Sequence, residues 1–241
     1  MSSRMIEATA LKKMIDNAAA IHTAHEPGKT NLSNDDIIMI EQLCSLKNGF
    51  VYRSLKRLLD LAVSLNGLLI LFFPMLLIGV WIKLDSEGPA LFTQERLGLN
   101  GKPFRLFKFR SMRIDAEADG PRWASKEDDR LTRVGRLIRK TRLDELPQLL
   151  NILTGHMSLV GPRPERKIFY DQFETYIHGF HQRLMVKPGL TGLAQVNGGY
   201  DLLPEEKILL DVEYMKNQSL VLDIQLILKT VVIVFNHHGA R

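Results

Sequence analysis

Two adjacent carboxylates, Asp144 and Glu145, sit in the stretch RLDELPQLLN (residues 142–151), behind a run of cations. Arg130, Arg133, Arg136, Arg139, Lys140 and Arg142 precede them, and spacings of three and four would put several on one helical face. Guanidinium forks match phosphate oxygens, bidentately where geometry allows. An aspartate is ionised at neutral pH from its reference pKa and needs no base to act as a nucleophile. Nearby arginines would keep it ionised. If the stretch is helical, the two carboxylates are about 100° apart, so they share a metal ion or take separate roles. Mg²⁺ suits such a pair facing a phosphate-bearing substrate, because it takes oxygen ligands and bridges phosphates. The pair alone is weak evidence. Most adjacent acidic residues lie on surfaces, and the basic run also fits a solvated or lipid-facing helix.

Two further stretches could hold phosphate. In SLVGPRPER (residues 158–166), Pro162 and Pro164 restrict the backbone on both sides of Arg163, which would hold one guanidinium on a stiff loop. An ordinary proline-rich turn reads the same way. In FKFRSM, Lys108 and Arg110 are two residues apart, which on a strand puts them on one face.

The elements that must position these groups follow from patterning. Residues 61–82, LAVSLNGLLILFFPMLLIGVWI, contain no charge and are long enough for a helix to cross a hydrocarbon core of about 30 Å. Pro74 lies mid-segment and would bend such a helix. Arg53, Lys56 and Arg57 flank one end and Lys83 the other, so no simple Lys/Arg asymmetry sets an orientation. A re-entrant hairpin bent at Pro74 and a single kinked span fit these residues equally. Asn100-Gly101 between two strand-like runs predicts a hairpin. The pattern is helical from about Thr132 to Leu153, and again in PEEKILLDVEYMKN with Pro204 in its first turn. KPGLTGLAQVNGG reads as a loop of glycine turns. SLVLDIQLILKTVVIVF carries Asp223 and Lys229, which predicts an interfacial or core-packed helix rather than a second span. Near the start, Ser33 or Asn34 would cap a short helix from Asp35 towards Leu46.

The 241 residues carry a net charge of +5, which suits anionic partners such as lipid headgroups or nucleotides. Nucleic acid is not expected, because no recognition motif accompanies the charge. A single cysteine, Cys44, excludes an internal disulfide and a cysteine zinc cluster. No cleavable signal peptide is expected, since residues 1–20 lack an apolar core.

From about Lys56 onwards the chain resembles the bacterial sugar transferase family, the monotopic phosphoglycosyl transferases. The resemblance rests on KRLLD, Pro74, FKFRSM, RVGRLIRKTRLDELPQLLNIL, SLVGPRPE, KPGLTGLAQVNG and LDVEYMKNQSLVLDIQLILKTV, in that order. It implies transfer of a sugar 1-phosphate from a UDP-sugar to undecaprenyl phosphate, with release of UMP, as the first membrane step of O-antigen, capsule or exopolysaccharide synthesis. It further implies a catalytic Asp144–Glu145 dyad binding Mg²⁺, with Asp144 as nucleophile through a phosphosugar-aspartyl intermediate. Arg163, Lys108, Arg110 and Arg139 are expected at phosphate, with Pro162 and Pro164 shaping the loop. Asp211 is expected behind the site or linked to the metal. The family's membrane helix is re-entrant and broken at a Ser-Pro pair; here Phe73 precedes Pro74.

The expected fold is α+β: mostly helical and membrane-anchored, with a re-entrant Pro-kinked helix, a small β-hairpin and an interfacial C-terminal helix. Residues 1–50 form an extension of unknown role, 51–84 the membrane-inserted helix and 85–241 the catalytic region. The expected location is the cytoplasmic face of a bacterial inner membrane, in contact with membrane lipid; homodimer formation stays open, as does the identity of the sugar.

Overall fold

The structure, a computed structural model, describes residues 37–41, 43, 46, 49–118, 120, 128–198 and 202–236. Ser33, Asn34 and Cys44 lie outside the described residues. The chain is α+β with helices predominating, as the patterning predicts.

The apolar segment forms two helices, α1 (Phe50–Ile70) and α2 (Phe72–Asp85), bent by 61° where they meet. No single described helix is long and apolar enough to cross a membrane, but the bent pair is, taken together. The break falls at Leu71 rather than at Pro74. Pro74 occupies the first turn of α2, where its missing N–H leaves the Ile70 carbonyl without its helical donor. The proline therefore acts one turn upstream of itself.

α1 has two different faces. Outwards it exposes Phe50, Leu58, Leu65 and Leu69, and α2 continues this surface with Phe72, Phe73, Leu77 and Leu84. Inwards α1 is polar and bonded. Arg57 donates to the carbonyls of Ile152 and Leu153 at 2.7 and 2.8 Å, meeting the unsatisfied end of helix α4 (Gln148–Leu153). Asp60, 3% exposed, accepts from the Ser158 hydroxyl and the Leu159 N–H. Such bonds to a charged group contribute about 1.5–3 kcal/mol each.

A hairpin follows, with β2 (Leu91–Leu97) antiparallel to β3 (Pro103–Phe109). Asn100 and Gly101 turn it at φ 57° and 73°, the left-handed pair that suits the twist of the strands. The expected helix over 132–153 is not continuous. It divides into α3 (Arg133–Lys140), a 3-10 turn (Leu143–Glu145) and α4. Arg142, at φ 58°, breaks the first helix, and Pro147 opens the last.

β4 (Ser158–Val160) pairs in parallel with β6 (Gly189–Thr191). Between them run α5 (Lys167–Glu174) and β5 (Ile177–His178), which pairs with β1 (Ile38–Met39). Ile38 and Met39 are thus extended, and the helix expected from Asp35 to Leu46 does not form over them. The KPGLTGLAQVNGG stretch is more regular than a loop: it supplies β6 and α6 (Leu193–Asn197). Its glycines are selected by close approach. A side chain at Gly189 or Gly161 would strike the backbone of the other. Two longer helices, α7 (Pro204–Lys216) and α8 (Leu220–Asn236), complete the chain, with Pro204 in the first turn of α7 as predicted.

The main core gathers Ile152, Met157, Ile177, Phe180, Ile208, Tyr214 and Leu226. A smaller cluster of Ile78, Ile82, Phe109, Val134 and Ile138 seals α2 against α3. α8 is packed on the core through Leu226 and leaves Val221, Ile224, Leu228, Val231 and Val232 exposed. Its Asp223, fully buried, accepts from Tyr52, Lys56 and Tyr214 at 3.0, 2.8 and 2.7 Å.

Candidate active site

Asp144 and Glu145 are both buried on the 3-10 turn, yet they face different surroundings. Glu145 is gripped by cations. Arg163 donates Nη2 to Oε1 at 2.5 Å and Nη1 to Oε2 at 3.4 Å, and Lys108 Nζ lies 3.3 Å from Oε1. Asp144 accepts no hydrogen bond from the described residues. It opens into a cavity of about 440 Å³ whose lining includes Lys108, Arg130, Arg139, Arg142, Arg163 and Lys207.

The electrostatics separate the two further. Burial raises the Asp144 pKa to about 6; Lys108 opposes this and the neighbouring Glu145 adds to it. Burial would also raise Glu145, but Arg163 and Lys108 more than offset it and hold that carboxyl well below the usual range. The arginines lower the Asp144 pKa as expected, and desolvation outweighs them, which leaves the carboxyl mostly ionised at neutral pH.

Arg163 owes its position to four consecutive carbonyls that are all held. Gly189 N–H reaches Pro162 O at 2.8 Å, Arg183 Nη2 reaches Arg163 O at 3.0 Å, Arg96 Nη1 reaches Pro164 O at 3.3 Å and Leu97 N–H reaches Glu165 O at 3.1 Å. The two prolines stiffen a loop that β2, β6 and the turn around Arg183 then clamp. Lys108 is fixed from the other side: Asn151 of α4 bonds both Phe107 N and Arg105 O, at 2.9 and 2.7 Å, pinning β3 next to the dyad.

The remaining predicted residues divide. Arg139 lines the cavity. Arg110 lines it too, but its guanidinium is engaged by the Ser86 and Glu87 carbonyls, where it ties the end of α2 to the hairpin. Asp211 is not among the cavity-lining residues. It pairs with Arg183 at 2.7 Å, and Arg183 in turn holds the Arg163 carbonyl, so Asp211 acts on the site through two intermediaries. Of the basic run, Arg130, Arg139 and Arg142 line the cavity, while Arg133 and Arg136 are exposed on α3. Arg130 is itself held by Asp128, at 2.7 and 2.6 Å.

Comparison with known proteins now decides the family. Residues 51–237 match the family model described as bacterial sugar transferase. The chain belongs to the bacterial sugar transferase family. Among relatives, it is 43% identical over 203 residues to the UDP-N-acetylgalactosamine-undecaprenyl-phosphate N-acetylgalactosaminephosphotransferase of Aeromonas hydrophila, covering 83% of this chain and 48% of that protein. It is 45% identical over 182 residues to the UDP-glucose:undecaprenyl-phosphate glucose-1-phosphate transferase of Caulobacter vibrioides, covering 73% of this chain and 68% of that one. A Bacillus subtilis protein named as a putative undecaprenyl-phosphate N-acetylgalactosaminyl 1-phosphate transferase is 52% identical over 133 residues, 55% of this chain and 74% of that protein. The chain thus spans about half the length of the Aeromonas relative.

Within this bacterial sugar transferase, several site residues escaped sequence reasoning. Lys207 lines the cavity from α7, and burial lowers its pKa to about 8. Gln195 of α6 lines the cavity as well. Gln195 stands in no charge cluster, and Lys207 follows Glu205 and Glu206 in a run that reads as the charged first turn of a helix.

Proposed function

We propose that this sugar transferase moves a sugar 1-phosphate from a UDP-sugar to undecaprenyl phosphate, through a phosphosugar-aspartyl intermediate on Asp144. One observation carries the reading: a buried carboxylate with no bonded partner among the described residues faces a cation-lined cavity, beside a carboxylate that two cations already neutralise. The names of the relatives supply the substrate classes.

In the first step an Asp144 oxygen attacks the β-phosphorus. The bond from phosphorus to the bridging oxygen breaks, and UMP departs with that electron pair. In the second step an oxygen of the acceptor phosphate attacks the same phosphorus, and the Asp144 carboxylate leaves. Two displacements in sequence give ping-pong kinetics. Arg139, Arg163 and Lys108 offset charge on the phosphates. Glu145, held down by Arg163 and Lys108, keeps those cations in place.

A Mg²⁺ ion fits as a guest held mostly by substrate. Among the described residues no group of three or more His, Cys, Asp or Glu side chains could form a cage. Asp144, which accepts no hydrogen bond from the described residues, would offer the ion a hard oxygen ligand. Glu145 joins only if it exchanges a cation contact for the metal. Bound there, the ion would neutralise diphosphate charge.

The apolar outer faces of α1 and α2 suit a shallow, re-entrant seat in the cytoplasmic face of a bacterial inner membrane. That would bring a lipid phosphate and a cytosolic nucleotide to one level. The first step of a surface-polysaccharide pathway is the corresponding role.

The test is UMP release from detergent-extracted protein with Mg²⁺, undecaprenyl phosphate and a panel including UDP-N-acetylgalactosamine and UDP-glucose. Release with one sugar, abolished by Asp144→Asn, is expected. Equal release by the mutant would exclude Asp144 as nucleophile.

A further inference from the structure

α3 turns four residues outwards. Arg133, Arg136, Leu137 and Lys140 are exposed, while Val134, Gly135 and Ile138 are buried. The helix carries no acidic residue. Among the described residues, Arg133, Arg136 and Lys140 have no hydrogen-bond or ion-pair partner, and none of the three lines the large cavity. The site described above therefore leaves these cations unused.

Their order around the helix is informative. Val134 and Ile138 face α2, in one cluster with Ile78 and Ile82. At about 100° per residue, Leu137 comes about 80° round from them, Arg133 and Lys140 about 120–140°, and Arg136 about 180°. Arg139, which lines the cavity, comes next. The surface thus passes from apolar α2, through one leucine, to three cations and on to the cavity. Asp85 at the end of α2 accepts from the Val134 N–H at 3.1 Å, so the last turn of α2 lies against the first turn of α3. Trp81, Lys83 and Leu84 are exposed on that last turn. An aromatic ring and cations bordering an apolar surface have the composition of a membrane–water interface.

We propose that the outer face of α3 binds anionic phospholipid headgroups, with Arg133, Arg136 and Lys140 at the level of the lipid phosphates and Leu137 reaching below them. This rests on the membrane seat of α1 and α2 proposed above and adds a charge requirement to it. Two observations select lipid as the occupant. The face is continuous with the exposed apolar surface of α2, which a soluble anion would not need. The three cations are also spread over about 10 Å of helix, the span of a row of separate headgroups rather than of one phosphate. Each cation held at an anionic surface adds to the attraction within a Debye length. Bound this way, α3 would fix the tilt of the catalytic body and keep the Arg139 side of the cavity just above the headgroups.

The test uses the full chain in neutral detergent micelles. Phosphatidylglycerol and phosphatidylcholine, each with a pyrene-labelled acyl chain, are titrated in, and quenching of tryptophan emission reads association. The wild type is expected to half-saturate with phosphatidylglycerol at a concentration at least about threefold lower, and about 0.5 M salt to erase the preference. The triple variant Arg133→Gln, Arg136→Gln, Lys140→Gln is expected to bind both lipids equally. All three positions are exposed, so it should melt as the wild type does; if it does not, the pair Arg133→Gln and Lys140→Gln carries the test. Lys102→Gln, Arg105→Gln, Lys216→Gln removes the same charge from the hairpin and the end of α7, and is expected to keep the preference. Equal binding of the two lipids by the wild type overturns the assignment, as does a preference that survives in the α3 variant. Equal loss in the hairpin and α7 variant makes the preference an effect of net charge and also overturns it. UDP binding, followed by equilibrium dialysis, is expected to change less than about twofold in the α3 variant. A larger loss of UDP with the lipid preference intact would make the face a guide for the donor instead. If neither lipid quenches the wild type, the membrane seat falls and this proposal with it, whereas equal quenching by both leaves the seat standing.

Discussion

Arg163 bonds Glu145 with both terminal guanidinium nitrogens, whereas Asp144 beside it accepts no hydrogen bond from the described residues. One carboxylate of the dyad is therefore a counter-ion and the other is left for chemistry. Arg163→Lys keeps the charge but cannot form the fork. It is expected to lower turnover ten- to a hundredfold and to cost about 1.5–3 kcal/mol of stability, the worth of a charged hydrogen bond. Lys108 remains on Glu145 and holds the loss near the lower figure. Single-turnover kinetics and a denaturant midpoint measure the two effects.

The Asp144 pKa is raised to about 6 chiefly by burial. On the proposed mechanism Asp144 must be ionised to attack, so activity is expected to fall as pH drops through about 6 rather than about 4. Glu145 raises this pKa and Lys108 lowers it. Glu145→Gln should accordingly move the acid limb to lower pH, and Lys108→Met to higher pH. The pH dependence of UMP exchange reads both directions.

The same shift has a stability consequence. A carboxyl with a raised folded-state pKa binds its proton more tightly when folded, so stability falls as pH rises from about 4 to 6 and stays low above. Asp144→Asn removes that cost. In metal-free buffer it is expected to be more stable than wild type at pH 8, by roughly 2–3 kcal/mol, with the gap closing towards pH 4. Denaturant midpoints at the two pH values check it.

Asp223 joins α8 to α1 through Tyr52, Lys56 and Tyr214. Asp223→Leu leaves Lys56 without its counter-ion and the Tyr52 hydroxyl without this acceptor, while the Tyr214 hydroxyl keeps only the Val160 carbonyl, at 3.3 Å, as acceptor. A loss of about 3–5 kcal/mol is expected, the cost of breaking a buried pair. Limited proteolysis should then cut between α7 and α8 first.

Gly161 lies against the Lys187–Gly189 backbone, and a methyl group there would collide with the Lys187 carbonyl. Gly161→Ala is expected to cost about 1–3 kcal/mol by overpacking. It should also displace the loop that carries Arg163, lowering turnover more than it raises the donor KM.

The hairpin, the bent apolar pair and α7 were legible because each has a local cause: Asn100-Gly101, an uncharged run containing Pro74, and Pro204 in a first turn. The break at Arg142 was not legible. Nothing in KTRLDE demands a left-handed arginine; the packing of α3 and α4 on either side imposes it. That break makes the dyad a tight turn with divergent carboxylates. Arg163 and Lys108 were found from types and spacing, and Arg110 was found for a reason that the Ser86 and Glu87 carbonyls supersede. Gln195 and Lys207 were missed because their importance lies in burial, which one polar letter in α6 or α7 does not reveal.

The polar inner face of α1 has a practical corollary. Lys56, Arg57 and Asp60 are wired into α8, α4 and β4, so this greasy helix is also a structural strut of the catalytic body. A water-soluble enzyme cannot be obtained by trimming it away, nor can a generic hydrophobic anchor be grafted in its place. The exposed apolar residues of this helix and those that hold up the site belong to one rigid piece, so on the proposed membrane seating the height of the site above the lipid would be set by the fold and not by a leash.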